Sequence, residues 1–167
     1  IKTKISSQEV DKFLGQEGAK EKIKSWYDRN ISDYKAEEKV HARHILVAYK
    51  GSRRADAKIK RTKVQARKLA NDILKKVNKP GADFVNLAKA YTDEGQGKTS
   101  GGDLGFFTKK SMVKEFSEAA FSLPVGKVSG VVESAFGFHI IKSIDRQEAK
   151  DFSLKQVERE IVEKQIK

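Results

Sequence analysis

The sequence predicts an α+β fold in which helices surround a small, mostly antiparallel sheet. Two observations carry this. Apolar periodicity switches from helical spacing to strict alternation at Val40–Val47, and strand patterns return at Val128–Glu133 and Phe138–Ile144, on either side of a tight turn at Phe136-Gly137. Most of the remaining chain reads as short amphipathic helices. Strands therefore open and close a central block that is otherwise largely helical, the order of segregated rather than alternating elements.

Taken in order, Ser6 followed by Glu9 is a capping-box pattern, and Val10, Phe13 and Leu14 supply a short helical stripe that Gly15 and Gly18 interrupt. A second helix puts Ile23, Trp26, Tyr27, Ile31 and Tyr34 on one face. In the first strand Val40, Ala42, His44 and Leu46 point one way, and His41, Arg43, Ile45 and Val47 the other. After a basic loop, Lys50 to Lys60, Thr62 caps a helix carrying Ala66, Leu69, Ala70, Ile73, Leu74 and Val77, which Lys79-Pro80-Gly81 ends. Asp83 caps a shorter helix with Phe84, Leu87, Ala88 and Tyr91. A glycine-rich loop over 92–103 leads into a short strand, Leu104 to Phe107. A helix from about Ser111 then presents Met112, Phe116, Ala119 and Ala120 before stopping at Leu123-Pro124. Ser153 with Gln156 caps a last helix bearing Leu154, Val157 and Ile161. The reading gives an N-terminal helical arm (1–38), a central domain (39–146) and a C-terminal helix (147–167).

The composition bounds what this can be. A chain of 167 residues has room for one domain with attached helices, or for two very small ones. With 38% hydrophobic and 35% charged residues, the core is small and the exterior heavily solvated. No run of eighteen apolar residues exists to span a membrane. With no cysteine, disulfides and thiolate chemistry are excluded, which is compatible with an oxidising compartment. A chain opening at Ile1, without Met or signal peptide, reads as a processed protein or a fragment. The net charge of +12 sits almost wholly in residues 37–80, which hold 14 basic and 4 acidic groups. Such a stretch attracts anionic partners or forms a solvated face. It lacks the interleaved aromatics that stack on bases, so no nucleic-acid partner is expected.

Phosphate loops, zinc-ligand spacings and nucleophile elbows are missing. Two of the three histidines, His44 and His139, lie on apolar strand faces. Such a residue is more often a hydrogen-bonded core group than a site residue. On neighbouring strands, however, the two would make a buried imidazole pair.

At this point the chain resembles the parvulin family of peptidyl-prolyl cis/trans isomerases. The resemblance rests on His41-Ala42-Arg43-His44-Ile45-Leu46-Val47, on Tyr91-Thr92-Asp93-Glu94, and on Ser100-Gly101-Gly102-Asp103-Leu104-Gly105-Phe106-Phe107. It continues through Met112-Val113-Lys114-Glu115-Phe116 and Ala119 to Gly126, and closes on Phe136-Gly137-Phe138-His139-Ile140-Ile141. The resemblance implies a four-stranded antiparallel sheet wrapped by helices, a cleft for proline, and no cofactor or metal. It implies that Leu104, Met112 and Phe116 form the pyrrolidine pocket, with Phe136 on its rim. His44 and His139 would lie beneath, beside the hydroxyl of Ser134. Relatives carry an aspartate or cysteine facing the substrate carbonyl where this chain has Glu94, a longer acid. Arg53 and Arg54 match the spacing of an arginine pair that reads phosphate in one branch. A preference for acidic residues before proline, and a merely solvated loop, are the other readings.

The flanking arms resemble those of extracytoplasmic foldases of the SurA, PpiD and PrsA kind, in which helices on both sides of the isomerase make a client-binding lobe. The expected function is isomerisation of proline bonds in unfolded or secreted clients, in the bacterial periplasm or cell envelope. The alternative is a catalytically weak module that holds polypeptide. The apolar stripes of the arms (Ile23, Trp26, Tyr27 and Ile31; Leu154, Val157 and Ile161) could pair with each other, with segments outside this sequence, or with a second copy as a homodimer.

Overall fold

The structure, a computed structural model, describes residues 4–165. In chain order its elements are α1 (Ser7–Leu14), α2 (Ala19–Arg29), α3 (Ile31–Tyr34), β1 (Lys35–Ala36), β2 (Lys39–Val47), α4 (Lys63–Val77), α5 (Phe84–Tyr91), α6 (Gly97–Ser100), β3 (Asp103–Thr108), α7 (Lys114–Ser122), β4 (Val132–Ser134), β5 (Gly137–Gln147), β6 (Lys150–Asp151) and α8 (Leu154–Gln165). They fall into two compact units. One is residues 38–147, and the other combines the chain before 38 with the chain after 147.

The contiguous unit is the expected α+β fold: a four-stranded antiparallel sheet in the order β3-β2-β5-β4, with helices on both faces. Alternation along β2 and β5 divides the core in two. Ile45, Val47, Phe138 and Ile140 face α4 and α5, where Ala66, Ala70, Ile73, Phe84 and Ala88 meet them. Val40, Ala42 and Ile141 face the other way, and pack with Phe107, Phe116 and Ala120. Thr62 caps α4 through a reciprocal pair with Gln65, and Asp83 caps α5 through the Asn86 amide. Arg146 donates to the carbonyls of Phe121 and Leu123 at the end of α7, and its guanidinium also pairs with Glu38.

The discontinuous unit packs α1, α2 and α8 around Val10, Ile23, Tyr27, Val157, Ile161 and Val162. Ser6 and Glu9 form the capping box of α1. Tyr27 donates its hydroxyl to the Phe152 carbonyl at 2.7 Å, and β1 pairs with β6. Among the described residues, Ile31 and Phe152 are its exposed large apolar groups, at 41% and 49%. Residues 1–3 and 166–167 of the expected arms lie outside the described residues.

Four local expectations are corrected. The helix read from Ile23 to Tyr34 breaks at Asn30, whose side-chain amide donates to the Trp26 carbonyl and competes with the helix ladder. The glycine-rich loop contains α6. Met112 precedes its helix: a 3₁₀ turn, Lys109–Ser111, is followed by extended backbone at Met112 and Val113, and α7 starts at Lys114. The strand expected from Val128 is regular only from Val132, because at Ser129 the hydroxyl oxygen, not the carbonyl, accepts the Ile141 N–H. Among the described residues no helix is long and apolar enough to cross a membrane.

Candidate active site

Cross-strand register brings the two histidines together. His44 on β2 lies opposite Ile141 on β5, and Leu46 lies opposite His139, so the imidazoles are diagonal neighbours on the α7 face of the sheet. Their rings stack with centroids 5.4 Å apart, and their Nδ1 atoms are 3.2 Å apart. The Phe116 ring stands roughly perpendicular to both, in T-shaped contact. A glycine lets the chain pass this close to His44: Gly102, at φ +77°, accepts the His44 N–H on its carbonyl at 3.0 Å, and a Cβ there would stand 2.1 Å from the His44 carbonyl oxygen.

Hydrogen bonds extend the pair into a four-residue relay. Glu94 Oε2 lies 2.5 Å from His44 Nε2, and Ser134 Oγ lies 2.6 Å from His139 Nε2. The hydrogen bond from His44 holds the Glu94 carboxyl below the usual carboxylate range. An ionised Glu94 only accepts, so His44 Nε2 carries a proton. The Nδ1···Nδ1 bond needs one proton between the rings. Either His139 donates to a neutral His44, or a cationic His44 donates to His139. In both cases His139 is neutral, because burial, reinforced by the neighbouring His44, pushes it down to about 3.

This fixes a pH dependence of stability. The unfolded chain takes a proton on His139 below its ordinary value of 6.5, while the folded chain refuses it until about 3. The stabilisation is thus complete above pH 6.5 and is lost as pH falls. The slope approaches one proton, about 1.4 kcal/mol per pH unit. Glu94, also depressed when folded, adds a loss of the same sign below 4.5. Denaturant titrations between pH 7 and 4.5 should show the decline, and His139→Gln should flatten it. An equal slope in that variant would refute the assignment.

Above the relay opens a cavity of about 470 Å³. Leu104 from β3, Met112 from the extended segment and Phe116 from α7 give it an apolar wall. Phe136, in the β4–β5 turn, lies on another side, and Glu94, Arg53 and Arg54 also line it. Nine of the ten residues expected from the sequence thus border one cavity; the tenth, Ser134, is buried behind His139. The two arginines are not equivalent. Arg53 lays its guanidinium over the Phe136 ring at 5.2 Å and donates its N–H to the Ala135 carbonyl. Arg54 has φ +59°, the single positive value outside glycine among the described residues, a strained conformation of the kind found at ligand sites.

Sequence reasoning missed Thr92, which is 1% exposed and whose hydroxyl oxygen accepts from the N–H groups of Leu46 and Glu94. It also missed the pairing of Asp93 with Arg61 at 2.5 Å. Thirty-two positions separate those two, and only the fold brings them together.

An apolar cavity above a histidine pair, in a four-stranded antiparallel sheet of this order, defines a parvulin-type isomerase domain. Residues 28–147 match the family model of the PPIC-type PPIase domain, and the chain belongs to that family. It is 38% identical over 157 residues to a foldase protein PrsA of Geobacillus, covering 93% of this chain and 50% of that one. Among solved structures it is similar to peptidyl-prolyl isomerase ESS1 from Candida albicans (26% identity, TM-score 0.61, 78% of this chain and 77% of that one). It is also similar to a SurA-like chaperone of Campylobacter jejuni (27% identity, TM-score 0.59, 95% and 57%). The chain spans half or less of the length of the PrsA relatives first matched.

Proposed function

We propose that this chain catalyses cis/trans isomerisation of proline bonds in unfolded client polypeptides, outside the cytoplasm of a bacterium. The observation that carries the reading is the apolar wall of Leu104, Met112 and Phe116 standing over the His44–His139 pair. Rotation about an imide bond faces a barrier of ~18–20 kcal/mol and needs no nucleophile. Amide resonance is lost in the twisted state, which therefore carries less charge separation than the planar one. A pocket that grips the pyrrolidine ring in an apolar surround favours the twist. In this reading Leu104, Met112 and Phe116 clamp the ring and Phe136 closes the rim. His44, His139, Ser134 and Glu94 fix the polar floor. Arg53, committed to Phe136, stiffens that rim, and Arg54 addresses an acidic residue before the proline.

Support for an envelope location and for polypeptide clients comes from relatives named PrsA foldase and SurA-like chaperone. The helical unit would then hold clients, its exposed Ile31 and Phe152 offering contact, and would pair with a second copy. No nucleic-acid partner is proposed. A proline-peptide exchange assay tests the core claim. Met112→Ala should lower kcat/KM on the order of tenfold, as expected for loss of a half-buried apolar side chain that the bound proline ring would cover. Wild-type turnover indistinguishable from the uncatalysed rate would leave a holding module instead. Equal rates across neutral, acidic and phosphorylated residues before proline would remove the role given to Arg54.

A further inference from the structure

The Arg61–Asp93 ion pair has no part in the reading above, yet it joins two walls of the cavity. The arch of residues 49–61 is built from turns and carries Arg53 and Arg54. Its two ends are closed by the Lys50 N–H, which donates to the Arg61 carbonyl at 2.8 Å. From there the Arg61 guanidinium donates to Asp93 Oδ2 at 2.5 Å and to the Ala48 carbonyl at 3.0 Å. The same Asp93 oxygen accepts the Ala48 N–H at 2.9 Å, and the Asp93 N–H donates to the Leu46 carbonyl at 2.8 Å. The Asp93 side chain is only 12% exposed. Arch, strand end and the Thr92–Glu94 segment therefore meet at one partly buried, charge-assisted knot.

We propose that Arg61 and Asp93 form a positioning clasp, which keeps the arch and the Glu94 segment in place around the cavity. Arg61 lies off the cavity wall and acts through the residues it fixes. Glu94 is the acid of the relay, and Arg54 sits in a strained conformation that a loose turn would relax. Without the clasp the cleft is competent for only a fraction of the time. The apparent dissociation constant rises by the inverse of that fraction, while the bound, assembled site turns over as before. The signature is a raised KM with kcat retained.

The kinetic form of this inference rests on the isomerase reading, so the test has a second readout. Arg61→Met keeps the apolar stem and removes charge and donors. With an Ala-Glu-Pro-Phe p-nitroanilide substrate, KM should rise about tenfold, kcat should stay within about twofold, and Arg61→Lys should recover part of the loss. Lys58→Ala, exposed in the same arch, should match the wild type. A purely structural role would instead lower kcat through a smaller active fraction, with KM unchanged and less cooperative thermal unfolding. That pattern, or a KM within about twofold of wild type, overturns the clasp. If the wild type shows no turnover, the isomerase reading falls, and the clasp is judged by chemical-shift titration with the same peptide. Weakening by about tenfold supports it there, and an unchanged Kd overturns it. Should Arg61→Met fail to fold, Asp93→Asn, which keeps an acceptor for the Ala48 N–H, is judged on the same readouts, with a smaller shift of the same sign expected.

Discussion

Gly102→Ala is expected to cost the isomerase unit about 3–5 kcal/mol, because among the described glycines its added Cβ would make the shortest contact with backbone. Two costs combine. The residue sits at φ +77°, where an L side chain costs roughly 1–2 kcal/mol. The new Cβ would also stand 2.1 Å from the His44 carbonyl oxygen, 3.1 Å from its carbonyl carbon and 3.2 Å from its nitrogen. All three are backbone atoms of a central strand and cannot swing aside as a side chain would. Relief requires pulling β3 away from β2, which lengthens the His44–Gly102 hydrogen bond and moves the imidazole. Denaturant unfolding measures the loss. Gly130→Ala is the control, because its added Cβ meets nothing within 4 Å, and it should change stability by less than about 0.5 kcal/mol. A Gly102→Ala chain as stable as the control would mean that the strands separate more freely than this packing allows.

Glu94→Gln is expected to lower kcat/KM by about 10–100-fold, the largest effect on activity without loss of the fold. A hydrogen bond to a charged group contributes ~1.5–3 kcal/mol, and each 1.4 kcal/mol is about tenfold in rate. The carboxylate can only accept, so it obliges His44 Nε2 to carry a proton. Glutamine presents either an acceptor or a donor. In the second case His44 Nε2 must accept, its Nδ1 donates to His139, and His139 Nε2 donates to Ser134, which reverses the neutral relay. Nitrogen NMR of the imidazoles should report a protonated His44 Nε2 in the wild type and a mixed or inverted pattern in the variant. Activity within about threefold of wild type, with the tautomers unchanged, would reduce Glu94 to an ordinary loop carboxylate.

Much of the fold was legible because local and global signals agree. Ser6, Thr62, Asp83 and Ser153 each stand immediately before a helix as the side chain that satisfies its first free amides. Parity along β2 placed His44 with Ala42, on the face away from Ile45, and the structure keeps it there. What could not be read depends on side chains reaching across the fold. The spacing of Met112 and Phe116 looked helical, yet a 3₁₀ turn and two extended residues bring them to the same wall by another route. Arg53 and Arg54 look interchangeable in sequence, but only Arg53 has an aromatic ring beneath it. The sequence left open what Glu94 faces with its longer arm; in the structure its carboxylate bends to His44, with the side chain still 36% exposed.

The division of the chain into units has a consequence for its synthesis. Residues 38–147 are contiguous, so that unit is complete as soon as β5 has left the ribosome. The other unit is split, and Val10, Ile23 and Tyr27 wait for Val157 and Ile161. At ~5–20 residues per second, the gap between α2 and α8 corresponds to roughly 6–25 s. During that interval α1 and α2 lack the apolar cover that α8 supplies, while the inserted domain is already free to fold. The split unit thus remains incomplete until α8 is made, whereas the isomerase unit is self-sufficient before then.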